Sequence, residues 1–122
     1  MRHLVLSLAT LILFSCLAIT AQAANPTALS WESPTTNTDG SALVDLDGFI
    51  TYCGTSSGSY SNVQDVGMVN SVFVNTLGLG NGKWYCAVTA YDTSSNESAQ
   101  SNEVFFTLDY TKPNPPINLK AE

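Results

Sequence analysis

The sequence predicts an all-β fold, an antiparallel sandwich of short strands. Beyond residue 23 no stretch repeats its apolar positions at helical spacing. Short alternating runs recur instead, separated by clusters of Gly, Asn, Asp, Ser and Pro. Residues 27–31 form the first expected strand, with Leu29 and Trp31 on one face. Residues 33–47 read as a long polar loop, broken by Pro34 and Asp39-Gly40. Residues 48–53 form the second strand, with Phe49, Thr51 and Cys53 on one face and Ile50 and Tyr52 on the other. A turn at 54–58 leads to a weak edge strand at 60–66. Residues 71–77 alternate through Val72 and Val74 to Leu77, and 78–82 make a glycine-rich turn. The best strand is 84–91, with Trp84, Cys86, Val88 and Ala90 facing one way. A polar loop at 92–102 precedes the last strand at 103–108. The expected core is Leu29, Trp31, Phe49, Val74, Trp84, Val88 and Ala90.

The N-terminus has a different character. The 122-residue chain is 44% hydrophobic and 11% charged, and much of the apolar weight lies in residues 4–15. Met1, Arg2 and His3 precede that run, and Ala21-Gln22-Ala23 follows it. A short basic start, an apolar run and a small-x-small close define a secretory signal peptide over residues 1–23, whose apolar run is too short to be read as a spanning helix. The expected destination is the periplasm or the medium. A competing reading starts from Leu13-Phe14-Ser15-Cys16, which resembles a bacterial lipobox in which Cys16 is acylated and anchors the protein. Phe14 is bulky for such a box, and Ala21-Gln22-Ala23 is the better small-residue site.

Cleavage after Ala23 removes the only Arg and the only His. Residues 24–122 then hold Lys83, Lys112 and Lys120 against ten carboxylates. Without an imidazole there is no base for a Ser-His-Asp or Cys-His catalytic site and no histidine ligand for zinc. The acidic balance disfavours nucleic acid and anionic membrane surfaces as partners. No transmembrane helix is expected in the mature chain. Cys53 and Cys86 remain, an even number in an oxidising compartment, which suggests one disulfide.

Several segments together resemble a bacterial fibronectin type III domain: Leu29-Ser30-Trp31-Glu32-Ser33-Pro34, Gly48-Phe49-Ile50-Thr51-Tyr52, Ala87-Val88-Thr89-Ala90-Tyr91-Asp92, Asn96-Glu97-Ser98 and Ser101-Asn102-Glu103-Val104. The resemblance covers residues 27 to 111. It implies an immunoglobulin-like sandwich of two antiparallel sheets and seven strands. Trp31 would be the core residue of strand B, Phe49 and Thr51 would be core positions of strand C, and Val88 and Ala90 those of strand F. Cys53 and Cys86 stand where the family has large apolar or aromatic residues, on the neighbouring strands C and F. A Cys53–Cys86 cross-strand disulfide fits that replacement. Such a bond closes a loop of 33 residues and contributes about 3–4 kcal/mol on a chain-entropy account. The competing reading is two buried free thiols acting as small hydrophobes. Trp84 stands where the family has a corner tyrosine, and its indole N–H is able to donate back to a loop carbonyl in place of the phenol.

Strand A of the family pattern is absent or minimal, because the mature chain offers only Ala24, Asn25 and Pro26 before the first strand. The expected division is therefore a signal peptide at 1–23, a domain at 24–111, and a tail at 112–122 that resembles a linker plus strand A. Three readings of the tail compete. It is a loose end of a longer array, a strand A supplied to its own domain, or a strand added to a neighbouring molecule through Ile117 and Leu119. The second is geometrically marginal, because residues 109–116 span at most roughly 26 Å and must also cross between sheets about 10 Å apart.

Candidate chemistry is sparse. Asn37, Asp39, Asp45 and Asp47 share one loop and offer oxygen ligands for Ca²⁺. Their spacing completes no EF-hand loop, and turn chemistry accounts for the same residues. Gly78, Gly80 and Gly82 before Lys83 resemble a phosphate loop only faintly, since Trp84 replaces the needed hydroxyl and a strand follows. Paired carboxylates for glycoside hydrolysis are better read as a solvated surface. Tyr52, Tyr60, Tyr85 and Tyr91 either form an aromatic strip for sugars or proteins or simply cover the sheet. The expected function is a non-catalytic extracellular or envelope binding and adhesion module without metal or cofactor. Its partner is a protein or glycan at the cell surface, and the candidate contacts are Tyr52, Tyr60, Tyr85, Asp39, Asp45 and Asp47. The alternative is a structural subunit that assembles head to tail by C-terminal strand exchange.

Overall fold

Alternation and turn chemistry produce six strands in a computed structural model that describes residues 25–122. The expected signal peptide, with Cys16, lies outside the described residues. The strands are β1 (Ala28–Ser30), β2 (Leu46–Gly54), β3 (Asn62–Gly67), β4 (Ser71–Phe73), β5 (Gly82–Asp92) and β6 (Val104–Leu108). β3-β2-β5-β6 form one sheet and β1-β4 a second, and every pairing is antiparallel. The two sheets make a sandwich-like arrangement.

The β2–β5 register explains the core. It sets Phe49 opposite Ala90, Thr51 opposite Val88 and Cys53 opposite Cys86, so one face of both strands turns inward. Cys53 and Cys86 form a disulfide, with Cα atoms 4.2 Å apart. They belong to a buried cluster with Val74, Leu77, Leu79, Phe106 and Leu108, against which Leu29, Val72 and Trp84 pack. Trp31 joins the two layers at the other end, its ring 5.5 Å from that of Phe49. Phe49 and Val74 are buried, whereas Leu29, Trp31, Trp84, Val88 and Ala90 are half-buried.

Two local features differ from simple alternation. The strand expected over 71–77 stops at Phe73, and Val74–Thr76 form a 3-10 turn closed by Leu77 N–H to Val74 C=O at 3.1 Å. Val74 and Leu77 are three residues apart and both fully buried. A 3-10 turn brings such positions to one side, which a strand does not. Leu79 is buried as well, although it sits within the glycine-rich turn. Trp84 Nε1 donates to the Gly80 carbonyl at 2.8 Å and braces that turn. At the β2–β3 hairpin a Cβ on Gly54 would stand 1.8 Å from the Ser59 carbonyl oxygen, so only glycine fits there.

The seams between the sheets are held differently. Beside β3, Asn62 Nδ2 and Gln64 Nε2 both donate to the Leu77 carbonyl, at 3.0 and 2.8 Å. Beside β6, Asn25 N–H donates to Thr107 C=O at 3.1 Å. The Asn25 amide exchanges two further bonds with the Asp109 backbone, at 2.9 and 2.7 Å. Beyond Asn25 this second seam opens into a groove. Residues 112–122 are exposed throughout and carry no regular secondary structure.

Candidate binding surface

The outer face of the four-stranded sheet gathers four of the five tyrosines, Tyr52, Tyr60, Tyr85 and Tyr91. Tyr52 donates to Glu97, whose carboxylate also accepts the Thr89 hydroxyl at 2.7 Å. Tyr60 donates to Glu103, which accepts the Ser57 hydroxyl at 2.6 Å and the Gly58 N–H at 2.9 Å as well. Tyr91 donates to both oxygens of Asp65, at 2.8 and 2.9 Å. The Tyr91 ring lies over Gly48, where a Cβ would stand 2.3 Å from its hydroxyl. Tyr52 and Tyr60 meet edge to face at 6.2 Å. Tyr85 lies beside Phe105, and Lys83 Nζ stands 5.1 Å from the Tyr85 ring centre and 4.5 Å from that of Phe105.

These contacts set the electrostatics. Each carboxylate partner pushes its phenol above the usual tyrosine range, chiefly because the protonated phenol donates a hydrogen bond that ionisation would remove, with desolvation and then charge repulsion adding to it: Glu97 for Tyr52, Glu103 for Tyr60 and Asp65 for Tyr91. Glu97 is held below the usual carboxylate range by the Thr89 and then the Tyr52 hydroxyl. Glu103 is held low by Ser57 and then Tyr60. Three of the four phenols are thus committed to carboxylates within the domain. The ring faces still offer stacking area.

The two long loops meet at one end of this sheet. Asn37 and Ser41 close the first with an N–H to carbonyl bond of 2.8 Å. Asp39 caps that turn by accepting the Ser41 hydroxyl and N–H, which hold its carboxyl below the usual range. In the second loop Asp92 accepts the Ser94 and Asn96 N–H groups and the Asn96 side-chain amide, each at 2.9 Å. Asn96 chiefly lowers the Asp92 pKa. Thr93 N–H donates to Asp45 C=O at 3.0 Å and ties the loops together. Ser98 exchanges two bonds with Ala90 and Ser101 two with Val88, so the second loop follows β5 like a short added strand.

Between the loops lies a cleft of about 560 Å³, lined by Asp39, Asp45, Tyr91, Asp92, Asn96 and Glu97 among others and, among the described residues, by no cationic side chain. Asp39 and Asp45 therefore come together there. Asp47 stays outside the lining as an exposed residue. Tyr52, Tyr60 and Tyr85 lie on the sheet face, with Tyr52 linked to the cleft through Glu97. A second and larger recess of about 750 Å³ runs between β1 and β6. Among the described residues no three His, Cys, Asp or Glu side chains are grouped to hold a metal ion, and no helix is long and apolar enough to cross a membrane. Comparison with family models, curated proteins and solved structures gave no match.

Proposed function

We propose that this chain is an exported, non-catalytic binding or adhesion module of fibronectin type III-like architecture. The observation that carries this reading is the cleft between two internally braced loops at one end of the sheet. Loops braced by their own Asx caps and joined backbone to backbone present a preorganised surface, which lowers the entropy lost on binding. Four carboxylates without a lining cation favour a ligand with ammonium or guanidinium groups, or a glycan whose hydroxyls donate. The strand order, the layer contact between Trp31 and Phe49 and the Trp84–Gly80 brace support the architecture. Residues 1–23 support export to the periplasm or medium, with acylation at Cys16 as the rival fate.

The reading is tested by screening the oxidised protein against immobilised glycans and basic surface proteins, beside an Asp45→Lys variant. Asp45 gives the cleft a charge without bracing a turn through its side chain. We expect at least one ligand, bound roughly tenfold or more weakly by the variant and more weakly at high salt. Equal binding by Asp45→Lys, or no ligand in either panel, would overturn the assignment.

A further inference from the structure

β1 has one strand partner among the described residues, β4. Thr27 C=O accepts Val74 N–H at 3.0 Å, and Trp31 N–H donates to Asn70 C=O at 2.9 Å. Backbone groups of a strand alternate sides, so Ala28 and Ser30 direct theirs away from β4. Along that free edge runs the recess of about 750 Å³, lined by Leu29, Trp31, Val104 and Phe106 and by the acidic residues Glu32 and Glu103. Val104 is 41% exposed, and the buried indole N–H of Trp31 has no acceptor among the described residues. An apolar wall beside an unpaired strand edge is a place for one more strand.

The same chain carries a segment of matching chemistry. Ile117, Leu119 and Ala121 alternate, and Ile117 and Leu119 are 81% and 99% exposed. The charges are complementary: residues 25–111 hold nine carboxylates and one lysine, whereas 112–122 hold Lys112, Lys120 and one carboxylate. None of residues 112–122 is among those lining the groove of the same copy. Tyr110 N–H and the Thr111 hydroxyl are pinned to the Asn81 side chain at 2.8 and 3.1 Å. Pro113, Pro115 and Pro116 then stiffen an arm that extends about 3.1 Å per residue. Asn25 ties the start of β1 to the end of β6, so a tail folding back on its own domain would run parallel to β1. A tail from another molecule is free to pair antiparallel, the slightly stronger ladder.

We propose that the free edge of β1 and its groove receive residues 117–121 of a second copy as an added strand, with Ile117 and Leu119 turned inward. Each copy carries one groove and one arm, so the contact builds closed pairs or head-to-tail chains. The proposal rests on the β1–β6 seam and not on the loop cleft, so either can fail alone.

The test is light scattering on the full, oxidised protein over a wide concentration range, beside the double variant Ile117→Asp, Leu119→Asp. Both positions are exposed in the single copy, so the variant leaves the domain intact. A peptide of residues 112–122 is then titrated into the double variant, read by Trp fluorescence and by amide shifts at Leu29 and Val104. We expect mass to rise with concentration in the parent and association to weaken by roughly a hundredfold in the variant. We also expect the peptide to bind the variant and to dissociate the parent assemblies. Three results would overturn the proposal: a parent that stays monomeric with unprotected tail amides, a monomer whose tail amides are protected at every dilution because its own arm has folded back, or assemblies that persist in the double variant.

Discussion

Along the seam beside β3, two side-chain amides converge on the Leu77 carbonyl, and residues 74–79 send Val74, Leu77 and Leu79 into the core. Along the seam beside β6, the bonds cluster at Asn25 and the rest of the edge borders a groove. The two sides share one floor, the β2–β5 pair with its disulfide. The difference follows from which elements the chain supplies. Beside β3 a 3-10 turn folds apolar residues inward and polar residues on the facing strand close over its end. Beside β6 the covering element is a three-residue strand, too narrow to reach across. One side of the domain is therefore a finished wall, and the other has backbone and apolar surface left to offer.

Removing the shared floor has the largest expected effect. Replacing Cys53 and Cys86 by Ala reopens a loop of 33 residues. Stability should fall by about 3–4 kcal/mol, and the melting temperature by roughly 15–20 °C. Thermal melts followed by circular dichroism measure this directly. Hydrogen exchange on the same variant sharpens the contrast between the seams. Amides of β1 and β4 should open before those of β2 and β5, because two three-residue strands bury little and have few neighbours. Within the short sheet, β1 on the open seam should exchange faster than β4 on the closed one, and equal exchange of β1 and β4 would show that the seams do not differ in local stability.

How far the sequence reaches depends on the range of each interaction. β2 and β5 were legible because alternation is local, and both are longer than expected at each end because their register continues through Gly54 and Asp92. Residues 71–77 were only half legible: Val72 fits a strand, but the spacing of Val74 and Leu77 is that of a turn, and the glycines around Leu79 hide its burial. The tyrosines could be assigned to a face, yet their partners could not. Tyr52 meets Glu97 across 45 residues and Tyr60 meets Glu103 across 43. Such pairs depend on strand order and on how loops return along β5. Asp39 and Asp45 were read from loop composition. Asp92 and Glu97 complete the cleft only once Thr93 is tied to Asp45. A first strand is expected over 27–31, longer than the observed Ala28–Ser30, and the groove it leaves is a property of two sheets together.

A smaller change tests whether the closed seam depends on its amides. Replacing Asn62 and Gln64 together by Ala strips the Leu77 carbonyl of both donors. Leaving a largely buried acceptor unpaired should cost about 1–3 kcal/mol. Asn25→Ala removes two bonds on the other side, but in exposed positions where water replaces the lost partner, so about 1 kcal/mol or less is expected. Urea denaturation midpoints compare the two variants. Equal losses would break the distinction between a sealed seam and an open one.

The smallest expected effect concerns pH, and it acts at the mouth of the groove. Glu103 lines the groove and ties the β2–β3 turn to the start of β6 through Ser57, Gly58 and Tyr60. Its pKa lies below the usual range, first through Ser57 and then through Tyr60. A depressed carboxyl pKa contributes stability above its unfolded value, about 4.3 for Glu, and loses it as pH falls through the folded value. Tyr60 is raised by Glu103. Its share is present below the unfolded tyrosine value of about 10 and fades as pH rises through the folded one. The domain should therefore hold a plateau between these limits and weaken on both sides. In Glu103→Gln both slopes should flatten together, because the variant removes the carboxylate that takes part in both shifts. Melting temperatures of the parent and the variant across pH measure the two slopes. An acid slope unchanged in Glu103→Gln would assign it to the other lowered carboxylates, Glu97, Asp39 and Asp92, and would leave the groove mouth indifferent to pH.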